Sequence, residues 1–218
     1  IASNTSLTIE DAWPMPTTAG TSSYTIFRPI ESSGVKNLSI INSANTTASL
    51  DVGFATNFLC ENVYVYKNTG GDGISINTVI DSEFRNVEAS YNGIGISESG
   101  FDIATVRRTS FYNCSANGNG ANGFSINYGS EETSFYSCGG SGNTGDGFSV
   151  IGDAGGVIMV NCRAAGNDGE GFEINNADRC LLFGCLALDN GGDGIEIPSL
   201  GNSDDNMIIN CRSINNDA

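Results

Sequence analysis

Histidine is absent from all 218 residues. That excludes an imidazole base, a Ser-His-Asp relay and any zinc site built on histidine. Acid–base work would fall to carboxylates, tyrosines or the few basic residues. Those are scarce too: 9 Lys and Arg stand against 25 Asp and Glu, for a formal net charge of -16. A chain this acidic is a poor partner for nucleic acid or an anionic membrane, where Lys and Arg must neutralise phosphate. It suits divalent cations or neutral glycans, or simply a solvated surface. No apolar run approaches the roughly 18 residues that would cross a bilayer. The chain opens at Ile1 without a charged-then-apolar leader, so a secretory signal is expected to be absent or removed. Only 4 prolines accompany 29 glycines, which favours many tight turns within regular structure over a disordered linker.

What is present is an internal repeat. The segments NTGGDGISI, NGNGANGFSI, NTGDGFSV, NDGEGFEI and DNGGDGIEI share a glycine, then Ile or Phe, one residue, then Ile or Val. The shared glycines are Gly73, Gly123, Gly147, Gly171 and Gly194, with Gly93 in a shorter version. A second column comprises Val63, Val87, Cys114, Cys138, Cys162, Cys185 and Cys211. Three residues before each member stands an apolar side chain: Cys60, Phe84, Phe111, Phe135, Met159, Leu182 or Ile208. Five residues after each stands asparagine: Asn68, Asn92, Asn119, Asn143, Asn167, Asn190 and Asn216.

Short apolar alternations read as strands, and the Asn/Gly runs between them as turns. Asparagine tolerates the left-handed conformation and can bond its amide to the equivalent amide one coil away. A period of about 24 residues therefore predicts stacked coils with inward ladders of Phe, Val/Cys and Ala. The fold expected is all-β: a right-handed parallel β-helix of about seven coils over residues 35–218, preceded by capping strands over 1–34 with Trp13 above the first coil. Beyond Ala218 the helix is expected to continue or to be covered by another domain or chain.

This pattern resembles the right-handed β-helix of the pectin-lyase-like superfamily, whose coils run 22 to 27 residues around an asparagine ladder. The resemblance covers roughly Val35 to Ala218. It implies a fold that hosts lyases, hydrolases, epimerases and non-catalytic adhesins, so it leaves the activity open. The histidine-containing motifs of several such enzymes are missing, which moves weight toward an adhesin. The lead-in LTIEDAWPMPTTAG also looks like the strands before β-helices in bacteriophage tail proteins, which implies a tailspike or fibre, usually trimeric.

Five of the seven cysteines share one inward column, an awkward geometry for disulfides, and are expected to be core thiols. No metal motif of CxxC type is present. A recurring turn acid (Asp72, Asp146, Glu170, Asp193, with Asn122 in the same place) could bind calcium or be a solvated turn; no cofactor is required. The outward strand position reads Ser75, Gly95, Ser125, Ser149, Glu173 and Glu196. Glu173 and Glu196, on consecutive coils ~4.8 Å apart, are candidate catalytic carboxylates with Asp146 and Asp193, at spacings that glycosidases use.

Two longer stretches, SESGFDIATVRRT and PSLGNSDDN, read as loops leaving one corner of the coil and framing a binding surface. They bring Glu98, Asp102, Arg107 and Arg108 on one side, Asp204 and Asp205 on the other. Arg107 and Arg108 could hold an acidic sugar or simply pair with neighbouring acids. Tyr112 and Tyr136, outward on consecutive coils, could be a sugar platform or a surface ladder. The expected partner is a bacterial or algal polysaccharide, bound by a homotrimer or larger assembly, extracellular or on a virion. The competing readings are a carboxylate-dependent hydrolase or lyase, and a structural stalk.

Overall fold

A computed structural model describes residues 30–95, 98–198 and 203–217. The capping strands expected over 1–34, Trp13 included, lie almost wholly outside the described residues. Ile30–Glu31 already pairs in the ladder, beside Ala55 and Thr56.

The chain winds as a right-handed parallel β-helix of about seven coils, and every strand pairing is parallel. The first sheet stacks Ile30–Glu31, Ala48–Thr56, Asp72–Ile80, Phe101–Ala104, Phe124–Asn127, Phe148–Ile151, Phe172–Asn175 and Ile195–Glu196. The second begins as long strands (Gly34–Ile41, Leu59–Tyr66, Glu83–Ser90), and each later coil splits that strand into two short ones, such as Ser110–Tyr112 and Ser115–Asn117. The split falls where Asn113, Ser137, Asn161, Gly184 and Asn210 sit at positive φ. Asparagine and glycine enter that region at low steric cost, so sequence chemistry fixes where each coil bends.

Inside, rings stack coil on coil. Phe84, Phe111 and Phe135 lie parallel at 4.8 and 4.7 Å between centroids. Phe101, Phe124, Phe148 and Phe172 form a facing stack from the first sheet, at 4.6, 4.7 and 5.1 Å. The two stacks meet edge to face, Phe124 against Phe135 at 5.7 Å, which suits the ring quadrupoles. All seven cysteines are free. Burial holds the Cys138 thiol well above its usual value, and its hydrogen bond with Cys138 pushes Cys162 up to about 12. These thiols stay protonated and behave as small hydrophobes.

The asparagine column is a continuous buried ladder. Nδ2 of Asn92, Asn119, Asn143, Asn167 and Asn190 donates to Oδ1 of the next coil's asparagine at 3.1, 3.0, 2.9, 2.8 and 2.7 Å. The same acceptors take backbone N–H groups, so the tightest turn of each coil leaves few orphans. The glycine column exists because of this ladder. A Cβ at Gly147 would stand 2.9 Å from Asn167 Nδ2 and 2.7 Å from the Gly171 carbonyl.

One coil departs from the expected register. Gly93 does not occupy the glycine column; Gly100 does, and a Cβ there would meet Asn119 Nδ2 at 2.6 Å and the Gly123 carbonyl at 2.8 Å. The ladder asparagine precedes its glycine by four residues in most coils but by eight from Asn92 to Gly100, so the insertion sits in this turn. Residues 101–104, read from sequence as part of a loop, are instead a strand paired with both neighbouring coils. The first insertion therefore precedes its first-sheet strand, Phe101–Ala104, whereas the chain after Ile195–Glu196 has already left that sheet, so the two fall at different corners. The expectation of two loops framing one surface is corrected.

Candidate functional site

With the register corrected, the outward column of the first sheet reads Asp51, Ser75, Asp102, Ser125, Ser149, Glu173 and Glu196. Asp102 takes the place that sequence spacing assigned to Gly95. The column two residues on carries Asn77, Asn127 and Asn175, and among the described residues neither column holds a Lys or Arg.

Side chains in these columns are already tied together. Asn127 Nδ2 donates to Asp102 Oδ1 at 2.7 Å across one coil. Glu173 accepts from Ser149 Oγ at 2.6 Å and from Asn175 Nδ2 at 3.2 Å. Burial lifts the Asp102 carboxyl above its ordinary value, and the Asn127 bond partly offsets this. Glu196 is likewise raised, by desolvation and then by the charges of Glu170, Glu173 and Asp193.

The turn acids line the same edge of the sheet. Asp146 Oδ1 accepts the Glu170 N–H at 2.9 Å, Asn122 Oδ1 the Asp146 N–H at 2.8 Å, and Asp72 Oδ1 the Ser99 N–H at 2.7 Å. They form a second, outer ladder of side chain to backbone. Among the described residues, no group of three or more His, Cys, Asp or Glu is arranged to hold a metal ion. Burial, and then the hydrogen bond with Glu170, raises Asp146 to about 8; burial with the charges of Asp102 and Glu98 raises Asp72 to about 7.

These shifts predict a pH dependence. The folded state keeps a proton on Asp146 that the unfolded chain, with an ordinary value of 3.8, releases. Its contribution is complete below about pH 4 and is lost as pH rises through about 8. The melting temperature is therefore expected to fall from pH 4 to pH 8, and Asp146→Asn to flatten that slope. An unchanged slope in the variant would remove Asp146 as its cause.

The remaining candidates are placed elsewhere. Arg107 pairs with Glu131 at 3.4 Å, and Arg108 reaches Asp81 through Nε at 2.6 Å and a terminal nitrogen at 2.9 Å. Both arginines sit at the corner beyond the first sheet, with their charge answered by acids of adjacent coils. Tyr112 and Tyr136 stack on each other at 5.0 Å with planes 10° apart, and the Arg85 guanidinium lies 5.4 Å from the Tyr112 ring. They stand on the second sheet, away from the outward column of the first. Asp204 and Asp205 are exposed; the Asp204 N–H donates to Asp178 Oδ1 at 2.7 Å. Glu98 sits in the 93–99 turn near Asp72.

Sequence reading missed Tyr128, next to Asn127 at the end of a first-sheet strand. The residue is 69% exposed, and its ring lies over Gly152 of the next coil, where a Cβ would come within 2.8 Å of it. The signal was there: a glycine 24 residues after a tyrosine, one coil period away.

A family model described as a right-handed beta helix region matches residues 99–218. The chain belongs to the right-handed β-helix family. Among solved structures, this right-handed β-helix is similar to the periplasmic alginate epimerase AlgG, with a TM-score of 0.61 and 12% identity over 76% of this chain and 47% of the epimerase. It is similar to the pectate lyase Pel9A at 0.59 and 15%, over 94% of this chain and 67% of the lyase. The Dettilon tailspike protein gp208 matches at 0.51 and 11%, over 74% of this chain and 42% of that protein. The chain thus spans less than half of the epimerase and of the tailspike, and at these identities the likeness is one of fold. No curated protein sequence matches the chain. No helix among the described residues is long and apolar enough to cross a membrane.

Proposed function

We propose that this β-helix binds a polysaccharide along the outer face of its first sheet, as a tailspike or tail fibre recognising a glycan on a host surface. The observation that carries this reading is the outward column itself. It repeats Ser, Asp or Glu on successive coils from Asp51 to Glu196, flanked by Asn77, Asn127 and Asn175. The partly exposed members of this strip, Asp51, Ser75, Asp102, Glu173 and Glu196, offer hydrogen-bonding groups to a polymer with periodic hydroxyls, while Ser125 and Ser149 between them are buried. Tyr128, held flat at its margin, adds a rigid aromatic surface that costs little entropy on binding. The solved structures of similar fold support the assignment, since an alginate epimerase, a pectate lyase and a tailspike are among them. In this reading the protein is extracellular or part of a virion and assembles as a homotrimer or larger.

A second reading, a carboxylate-dependent glycoside hydrolase, is favoured by one specific arrangement. Asp146, raised to about 8, keeps a proton to give, and it senses the charge of Glu173, which accepts two hydrogen bonds on the same edge. Protonation of a glycosidic oxygen by Asp146, with Glu173 or Glu196 as the opposing carboxylate, would follow the general pattern of such enzymes.

The test is a screen of the purified protein against bacterial and algal polysaccharides, reading both binding and new reducing ends. Binding that weakens roughly tenfold in Glu173→Gln and Tyr128→Ala, at unchanged melting temperature, is the expected result; for Glu173 such a loss matches about one hydrogen bond to a charged group. Sugar release that vanishes in Asp146→Asn would establish the hydrolase. Binding untouched by both face variants would move the site elsewhere, and no binding at all would leave a structural stalk.

A further inference from the structure

We infer that the first-sheet face selects glycans that carry no carboxylate or sulfate, and that neutral or amine-bearing polymers are its ligands while polyuronates are rejected. This rests on the polysaccharide-binding reading above and narrows it to a substrate class. The inference starts from where charge is and where it is missing. Asp51, Asp102, Glu173 and Glu196 stand in the outward column, and Glu170 and Asp193 line the turn edge beside it, where burial raises the carboxyls of Asp72 and Asp146. Among the described residues no Lys or Arg occupies either outward column, and the sequence has none in the turn segments 69–72, 93–99, 120–122, 144–146, 168–170 and 191–193.

Among the described residues every Lys and Arg lies off the first-sheet face, with Arg163 and Arg212 on the second sheet and Arg179 at the corner, and five others are already engaged. Arg107 and Arg108 lie at the far corner against Glu131 and Asp81, Arg85 lies on the second sheet against Glu83, and Lys36 pairs with Glu61. Lys67 sits over the Tyr66 ring. Recognition of a carboxylate sugar ordinarily uses arginine in bidentate pairing, and no described residue of this face supplies it. A polyuronate laid here would instead bring its charges against the carboxylates Asp102, Glu173 and Glu196, which stand in one column on this face.

The polar groups that are present suit hydroxyls and amines. Asp102 and Glu173 have carboxylate oxygens oriented by Asn127, Ser149 and Asn175. Each can accept from a sugar hydroxyl without losing those bonds, because a carboxylate has about four acceptor sites. The asparagine amides supply the complementary donors. Tyr128 lies at the margin as an uncharged aromatic surface, an observation independent of the acids that fits a sugar ring with no charge.

The experiment uses the intact chain and a fixed panel: chitosan, chitin oligosaccharides, dextran, galactan and mannan against polygalacturonate, alginate and hyaluronate, at low and at physiological ionic strength. At least one neutral or aminated polymer is expected to bind, with every polyanion at least tenfold weaker. One like-charge contact at 4 Å in water weakens binding by roughly fivefold, so two suffice. Added salt and the double variant Glu173→Gln, Glu196→Gln are expected to narrow the gap, as screening and loss of charge demand. A polyuronate that binds as tightly as any neutral polymer would overturn this inference and leave the polysaccharide reading standing. Silence across the whole panel would overturn both.

Discussion

Asn143→Ala is expected to lower stability by about 4 kcal/mol, from the loss of several buried hydrogen-bond partners at about 1–3 kcal/mol each. Asn143 is 1% exposed and sits mid-ladder. Its Oδ1 accepts from Asn119 N at 2.9 Å and Asn119 Nδ2 at 3.0 Å, and its Nδ2 donates to Asn167 Oδ1 at 2.9 Å and Ala116 O at 3.1 Å. Alanine removes both ends of the amide, so two donors on Asn119 and the Ala116 carbonyl lose their partners with no water to replace them. Asp at the same position keeps the acceptors, removes the donors and buries a charge, and should be no better tolerated. The exposed outer amide pairs give the control: Asn62 donates to Asn37 Oδ1 at 3.2 Å in solvent. Asn62→Ala should cost only about 1 kcal/mol, most of it from its left-handed backbone. Chemical denaturation of the three variants measures this directly. Equal losses at Asn143 and Asn62 would mean that the inner ladder is no more than surface decoration.

Phe135→Ala should cost a comparable amount, about 3–5 kcal/mol, by the usual penalty for deleting a buried ring. Phe135 is fully buried, stacks on Phe111 at 4.7 Å and meets Phe124 and Phe148 edge-on at 5.7 and 6.0 Å. It is therefore where the stack of one sheet locks into the stack of the other. Its removal opens a cavity that neighbouring coils cannot close, because each is held in register by ladders above and below. Hydrogen exchange should show loosening centred on that coil and its two neighbours, since a solenoid couples mainly to nearest neighbours. Glycan binding by the surviving folded fraction should persist, because Phe135 touches no outward residue of the first sheet. A loss of binding in the folded fraction would mean that the face depends on that coil's exact shape.

These two variants, set beside Glu173→Gln and Tyr128→Ala, separate scaffold from face. Core changes should move stability and spare binding; face changes should do the reverse. The division follows from strand geometry, in which alternate side chains point to opposite sides of the sheet. Phe172 and Ile174 are buried while Glu173 between them faces out. One strand of four residues thus serves both purposes.

The fold was legible because a solenoid repeats its requirements. Each coil needs a turn residue that tolerates left-handed backbone, a small residue under the ladder amide and a ring for the stack. The same residue types therefore recur about every 24 positions, and the spacing of Asn119, Asn143 and Asn167 alone specifies the stacking. The candidate carboxylates Glu173 and Glu196 were legible for the same reason, as equivalents in one column. Three things were not. The insertion after Asn92 could be placed before or after the strand that follows, because Gly93 and Gly100 both precede an apolar alternation; only closure of the coil onto Asn119 and Gly123 selects Gly100 and puts Asp102 on the outward face. The arginine pair was visible, but its partners Asp81 and Glu131 lie on different coils 27 and 24 residues away, and pairing depends on corner geometry that no local pattern records. The protonation of Asp146 was out of reach as well, since a carboxyl on a turn is ordinarily solvated, and burial among Glu170, Glu173 and the neighbouring coil is a property of stacked chains. Sequence by itself determined the period, the inward ladders and the parallel stacking, because these are repeated local demands. Tertiary structure alone decided which acids share a face, which cations are spent and which carboxyl keeps its proton, because those follow from distances between coils.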